Sequence, residues 1–351
     1  MTDKTVTTTP EPGTEARAEA PPVPEDDLGT RLRRRLRSHA LTLATLGVAL
    51  LLWLIAVIVS PEVFLSTRIY AAFATTTPLF AMVALALTLV VITREMDLSF
   101  GSVMALSMVG FVKAYALTGS VLLAVLACLL VGAACGLFNG VLVAILGIPS
   151  LVITLGTLFL FRGIEMVLIQ GRPTVLRDPD FDLLRSLLTG KVAGVPNQLL
   201  WMIAVAVVLW VVLNRTRFGA HIFLVGDNPT SAQLMGVRVA RVRIATFVIL
   251  AVIAAFTGMM SAMYIGTFFP TLSEGTGALL YPIASVFVGG TSVFGGIGSI
   301  VGTFIGAFPV GAINAGVVSA GIDGFYTELF FGLVIVVSLV LQTVITRWMR
   351  R

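Results

Sequence analysis

Val225-Gly226-Asp227-Asn228-Pro229-Thr230-Ser231-Ala232-Gln233-Leu234-Met235-Gly236-Val237 lies inside a polar break, Asn214 to Arg243, that separates two long hydrophobic halves. Asn228 before Pro229 predicts a helix start. The Asn side chain can cap a free N–H, and the fixed φ of Pro suits the first helical position. Gly236 predicts the stop, because glycine takes the left-handed conformation that closes a helix. A helix of about two turns is well below the roughly 12–15 residues that an isolated helix needs, so it requires a surface to dock on. Arg215, Arg217, Arg238, Arg241 and Arg243 flank it. Basic flanks place the break on the cytoplasmic side of a membrane, where a short capped helix offers a soluble partner something to grip.

The composition agrees with a membrane protein. Hydrophobic residues make up 57% of the chain and charged residues 12%, with a mean hydropathy of +1.01. Uncharged apolar runs of 18 or more residues recur, each long enough to cross roughly 30 Å of hydrocarbon as a helix. The weak alternation of a membrane β-barrel is absent. A pI near 9.6 would point to nucleic acid in a soluble protein; here the basic residues sit in short loops beside spans, so orientation explains them and no nucleic-acid partner is expected.

Ten spans are read, near 41–60, 70–92, 98–117, 121–146, 150–169, 198–213, 244–265, 278–293, 297–318 and 327–346. The fold class is therefore all-α and polytopic, with both termini cytoplasmic. Residues 1–38 form a disordered tail, rich in Pro, Thr, Glu and Ala, that ends in Arg31, Arg33, Arg34, Arg35 and Arg37. The apolar run begins too late for a cleaved signal peptide. Residues 39–346 form the transmembrane domain, 214–243 its cytoplasmic loop, and 347–351 a short cytoplasmic tail. Fourteen Lys and Arg beside the spans fall inside on this topology (five in the N-terminal run, Arg94, five in the central loop and three at the end) and five outside (Arg68, Arg172, Arg177, Arg185 and Lys191). The outer loop 170–197 reads either as a solvated hairpin or as a landing surface for an extracytoplasmic partner.

Glycines hint at an internal repeat. Gly132, Gly136 and Gly140 recur every four residues in span four, and Gly298, Gly302 and Gly306 do the same in span nine. Such stripes let helix backbones approach closely. Matching span four to span nine divides the chain into two halves of five spans, the second inverted.

Three constellations could carry chemistry. Between spans two and three, Arg94-Glu95-Met96-Asp97-Leu98-Ser99-Phe100-Gly101 reads as a helix start near Leu98 capped by Asp97, or as a polar break lining a substrate path. Gly289-Gly290-Thr291-Ser292-Val293-Phe294-Gly295-Gly296-Ile297-Gly298 reads as a sharp reversal or as a cytoplasmic gate. It is no phosphate loop, since no Lys follows. Deep polar groups form the third set. Asn139, Thr154 and Asn314 are candidates for the path, while Lys113 and Glu165 fall near outer span ends where snorkelling is cheap. No carboxylate is securely placed at midplane, which argues against proton- or sodium-driven transport. Cys128 and Cys135 read as buried hydrophobes. No zinc spacing, Walker loop or nucleophile elbow is present, so no enzyme, metal or cofactor is expected.

Several segments together resemble the permease subunits of bacterial ABC importers for ribose, xylose and related simple sugars. They are Asp97-Leu98-Ser99-x-Gly101-Ser102; Gly136-x-x-Asn139-Gly140; Ile148-Pro149-Ser150 with Thr154-Leu155-Gly156-Thr157 and Arg162-Gly163; Val225 through Val237; and Ile283-Ala284-Ser285-Val286-x-x-Gly289-Gly290-Thr291-Ser292 running on to Gly295-Gly296-x-Gly298-Ser299. The resemblance covers roughly residues 60–340. It implies two permease copies forming the path in the inner membrane and an extracytoplasmic solute-binding protein that delivers the solute. It also implies ABC ATPase subunits docked on the segment holding Gly226, Asp227, Asn228, Pro229, Ala232 and Gly236. The chain departs from the family at Arg94-Glu95, where a Gly-Gly pair is common, and at Thr327 and Phe331. A self-sufficient secondary transporter and a membrane scaffold are the alternatives.

Overall fold

The computed structural model describes residues 47, 50, 51, 53–58, 60–270, 279–319, 321, 323 and 326–350. All of them belong to the unit His39–Arg351. The N-terminal tail, its arginine cluster, half of the predicted first span and Arg351 lie outside the described residues.

The described helices are α1 (Pro61–Phe64), α2 (Thr67–Thr76), α3 (Pro78–Ile92), α4 (Phe100–Thr118), α5 (Val121–Ala144), α6 (Ser150–Ile169), α7 (Asp182–Thr189), α8 (Asn197–Arg215), α9 (Arg217–Asp227), α10 (Pro229–Leu234), α11 (Val239–Ile265), α12 (Leu280–Val288), α13 (Ile300–Ser319) and α14 (Tyr326–Arg350). Two short antiparallel ladders accompany them: β1 (Thr174–Val175) with β4 (Thr267–Phe268), and β2 (Lys191–Val192) with β3 (Val195–Pro196). The protein is thus a mostly helical, multi-pass membrane protein.

Among the described residues, α4, α5, α6, α8, α11 and the Ile300–Val317 part of α13 are long and apolar enough to cross a membrane. The α2–α3 pair makes a seventh if it is one span bent by 53°. Pro78 explains the bend, since it lacks an N–H and its ring clashes with the preceding turn. The eighth predicted span differs from expectation. α12 has nine residues, about 14 Å at the α-helical rise, and stops at Gly289. Gly290 there takes a φ of +84°, where L side chains are strained.

Packing is set by small residues. A Cβ at Gly136 would stand 2.6 Å from Ala251 Cβ and 2.7 Å from the Phe247 carbonyl oxygen, and one at Gly132 2.6 Å from Ala255 Cβ. The first stripe therefore lets α5 lie directly on α11. In the second, a Cβ at Gly302 would meet the Gly289 oxygen at 2.1 Å, and one at Gly306 the Gly289 nitrogen at 2.8 Å, which seats α13 on the end of α12. Gly298 lies just before α13 and faces Ile92, whose Cγ1 a Cβ would meet at 2.6 Å. Helix α13 also packs along α3, joined there by a 2.8 Å hydrogen bond between the Thr88 and Thr303 hydroxyls. Helix α3 is nearly all buried and forms the centre of the core.

The connections sort onto two ends of the bundle. Residues 93–99, 226–227 and 295–296 touch one another at one end. At the other end Leu176 N–H donates to the Gly266 carbonyl at 3.0 Å, beside the β1–β4 ladder. Tyr115 donates to Asp180 Oδ2 at 2.6 Å. The 170–197 segment is structured there: Asn197 Nδ2 and Trp201 Nε1 both bond carbonyls at the end of α7.

Gly136→Leu should force α5 and α11 apart, costing about 1–3 kcal/mol or more and lowering the thermal unfolding midpoint in detergent. Gly156→Ala, where nothing stands within 4 Å of the new Cβ, should leave that midpoint unchanged or raise it.

Candidate functional site

Helix α10 is built from local signals. The Asn228 side chain accepts from Ser231 N–H at 3.0 Å, and Pro229 holds the first position. The exit is a Schellman turn: Val237 N–H donates to the Ala232 carbonyl and Gly236 N–H to the Gln233 carbonyl, both at 3.0 Å. Gly236 takes a φ of +82°, as that turn requires. Ala232 is fully buried and Val237 nearly so, fixing one side of the helix to the protein, while Leu234 is 86% and Met235 61% exposed. Two adjacent apolar side chains thus stand free on a polar end of the molecule, a feature that residue types alone did not reveal.

Behind α10, three connections meet. Gly226 is buried, and a Cβ on it would stand 1.9 Å from the Ile92 carbonyl oxygen and 2.6 Å from Gly296 N. Gly296 N–H donates to that same Ile92 carbonyl at 2.9 Å. A Cβ on Gly295 would meet Arg94 Cγ at 2.2 Å. Arg94 Nε donates to the Gly226 carbonyl at 2.6 Å, and its Nη2 to the Asp227 carbonyl. Next to it, Glu95 Oε1 lies 3.0 Å from Arg243 Nε, an ion pair by distance but not aligned as an N–H hydrogen bond. The Gly-rich turn, the Arg94–Ser99 connection and the polar break, separate in sequence, are therefore one junction.

From that junction a polar network runs inward. Asp97 Oδ1 accepts from Ser99 N–H at 2.6 Å and from Ser99 Oγ at 2.7 Å. Asn139 Nδ2 donates to Ser99 Oγ at 2.8 Å and lies 3.5 Å from Asp97 Oδ2. Met96 N–H donates to Ser150 Oγ at 3.1 Å, and Thr154 Oγ1 donates to the Ser150 carbonyl at 2.8 Å. Asp97, Ser99, Asn139 and Thr154 are all fully or almost fully buried, and Asn139 Oδ1 has no hydrogen-bond partner. Asp97 does not cap a helix at Leu98: α4 starts at Phe100 with Ser99 as N-cap, and the carboxylate instead closes a turn onto Ser99. In this 93–99 connection, burial pushes the Asp97 carboxyl up from its ordinary range. Burial likewise pushes Glu95 up, against the lowering pull of Arg243 and a hydrogen bond with Ser150.

Other sequence candidates separate from this cluster. Asn314 lies in α13, and its side chain is outside the described residues. Glu165, expected to snorkel, is fully buried on α6, whereas Lys113 is exposed. Cys128 and Cys135 are buried free thiols. A cavity of about 600 Å³ is bounded by Phe64, Phe73, Leu199, Phe304, Phe308 and Val334. Two polar groups in its wall are engaged locally, Trp53 Nε1 donating to Tyr70 Oη and Tyr70 Oη to the Phe64 carbonyl. It offers little to a hydroxyl-rich solute. Among the described residues no group of three or more His, Cys, Asp or Glu is placed to hold a metal.

Residues 69–339 match the family described as branched-chain amino acid transport system / permease component. The chain belongs to this permease family. It is 32% identical to the ribose import permease of Escherichia coli (strain K12) over 312 residues, 88% of this chain and 96% of that protein. It is 32% identical to the D-allose transport system permease of the same strain over 291 residues, covering 82% and 87%. The autoinducer 2 import system permease of Yersinia pseudotuberculosis is 33% identical over 282 residues, covering 79% and 78%. No solved structure gives a significant match. The matched region of this permease contains all three parts of the junction and the whole inward network.

A buried carboxyl whose folded value is raised stabilises the fold fully at low pH and loses that contribution as pH rises through the folded value. Asp97→Asn should therefore flatten the decline of the unfolding midpoint above about pH 4 and keep the midpoint at neutral pH at least equal to that of the parent protein. Asp97→Leu, which leaves Ser99 without its acceptor, should cost about 1–3 kcal/mol, measured by thermal unfolding in detergent.

Proposed function

We propose that this permease is the membrane-spanning subunit of an ATP-driven importer for a monosaccharide or sugar-like solute, with ABC ATPase subunits gripping α10. The observation that carries the coupling role is α10 itself: a capped helix fixed through Ala232 with Leu234 and Met235 exposed. Apolar side chains on a cytoplasmic end are what a groove on a soluble partner would bury. An extracytoplasmic binding protein delivers the solute, and a second permease copy completes the path in the bacterial inner membrane. The names of the relatives, for ribose, allose and autoinducer 2, support a small polyhydroxylated solute.

In this reading the chain crosses the membrane ten times, with both termini in the cytoplasm and two inverted halves of five spans. The packing supports that division. Matching span four to nine and span seven to two turns the α5–α11 contact into an α13–α3 contact, and both occur. The same exchange relates α4–α5 to α12–α13, α4–α6 to α12–α14, and α4–α11 to α12–α3, all of which occur. Asp97, Ser99, Asn139, Thr154 and Asn314 are the proposed wall of the path. The burial of the first four in a single chain fits a path that opens by movement of the 93–99 connection. Gly289, Gly290, Gly295, Gly296 and Gly298 serve as the hinge of the facing gate.

Gly236→Pro, or deletion of 229–235, should abolish co-purification of the ATPase while the permease still inserts. Leu234→Glu, at an exposed position that the fold does not use, should weaken that association at least tenfold, as expected for losing about 2 kcal/mol at an interface anchor. Unchanged association in all three variants would remove the docking role. Accumulation of solute in vesicles without ATP would overturn the importer reading.

A further inference from the structure

Arg94 and Glu95 hold both ends of the docking excursion. Residues 228–238 join the end of α9 at Asp227 to α11, whose first turns carry Arg243, and α10 between them rests on the protein through Ala232 and Val237. Arg94 bonds the carbonyls of Gly226 and Asp227 at the departure point, and Glu95 pairs with Arg243 at the return. The guanidinium is a planar fork, so two bonds to successive carbonyls fix its orientation as well as its distance. Those carbonyls end α9, where the helix dipole favours a positive charge. Beside the buried contacts of Ala232 and Val237, two attachments from neighbouring residues tie both ends of the excursion to the start of the 94–99 connection.

The same two residues lead directly into the buried network. Arg94 is exposed, Glu95 and Met96 are half-buried, and Asp97 is 1% exposed, so three residues span from surface to interior. Each inward step is held: Met96 N–H by Ser150, and Asp97 and Ser99 by each other and by Asn139. Arg94 also adopts a φ of +67°, a left-handed conformation that strains a non-glycine residue. A surface charge that only oriented the protein in the membrane would need neither this backbone nor carbonyl partners 132 and 133 positions away.

We infer that Arg94 and Glu95 are positioning residues that lock the α10 excursion to the Asp97–Ser99–Asn139 network, so that displacement of α10 is passed to the buried break. This rests on the reading of α10 as the docking helix.

Arg94→Gly tests it without disrupting the fold, because glycine accepts φ +67° freely. The permease would be purified with its ATPase in nanodiscs, and amide hydrogen exchange followed with and without a non-hydrolysable ATP analogue. In the parent complex the nucleotide should change exchange at both 226–238 and 95–101. In Arg94→Gly the change at 226–238 should persist and that at 95–101 should be lost. Glu95→Arg alone should weaken the transmitted change, and Glu95→Arg with Arg243→Glu should restore part of it, which a general loss of stability would not do. A nucleotide-dependent change at 95–101 that survives in Arg94→Gly overturns the inference. So does failure of that variant to bind the ATPase, since Arg94 would then belong to the docking surface. No nucleotide effect at 226–238 in the parent complex would instead overturn the docking reading.

Discussion

In hydrocarbon, every backbone N–H and C=O must find its partner inside the protein, and at the junction the buried backbone groups of the helix breaks likewise take theirs from elsewhere in the chain. The Ile92 carbonyl at the end of α3 takes the Gly296 N–H, and the Gly226 and Asp227 carbonyls at the end of α9 take Arg94. Met96 and Ser99, in the non-helical stretch between α3 and α4, are satisfied by Ser150 and Asp97. Each break thereby becomes a contact with a distant part of the chain. The breaks do not loosen the fold; they are where its connections are tied to each other.

The same solvent removes the usual force that packs helices, since lipid is as apolar as any side chain. Close backbone approach takes its place. Gly132 and Gly136 bring α5 onto α11, and Gly302 and Gly306 bring α13 onto α12. Those contacts hold α3 in the centre, its C-terminal end at Ile92 facing the junction. A helix bundle fixed this tightly moves in rigid pieces, so a small displacement at one connection is carried along the chain with little loss.

That property gives the coupling reading its physical content. The exposed Leu234 and Met235, the cap and the Schellman turn make α10 a stiff handle. The Arg94 fork and the Glu95–Arg243 pair place the buried Asp97 network only a few residues from it. The network carries a carboxyl held above its ordinary range by burial and an amide oxygen with no partner. A site satisfied this incompletely is easier to rearrange than a fully bonded one.

Much of this was legible in the residues because it is local or compositional. Asn228, Pro229 and Gly236 act over one helical turn, so the bounds of α10 follow from the order of amino acids alone. The positions of α4, α5, α6, α8 and α11 follow from apolar length. The glycine stripes announced close packing. Tertiary structure decided which helices they meet, because a glycine specifies the absence of a side chain and not the identity of its neighbour. It shortened the eighth span to nine residues, where Gly289 must sit against α13, and it buried Glu165, whose placement no hydropathy window records. It also joined Arg94 to Gly226 and Glu95 to Arg243. Nothing in a charged pair at a span end names a partner more than 130 positions away, because only the folding of three connections onto one end brings them within bonding distance.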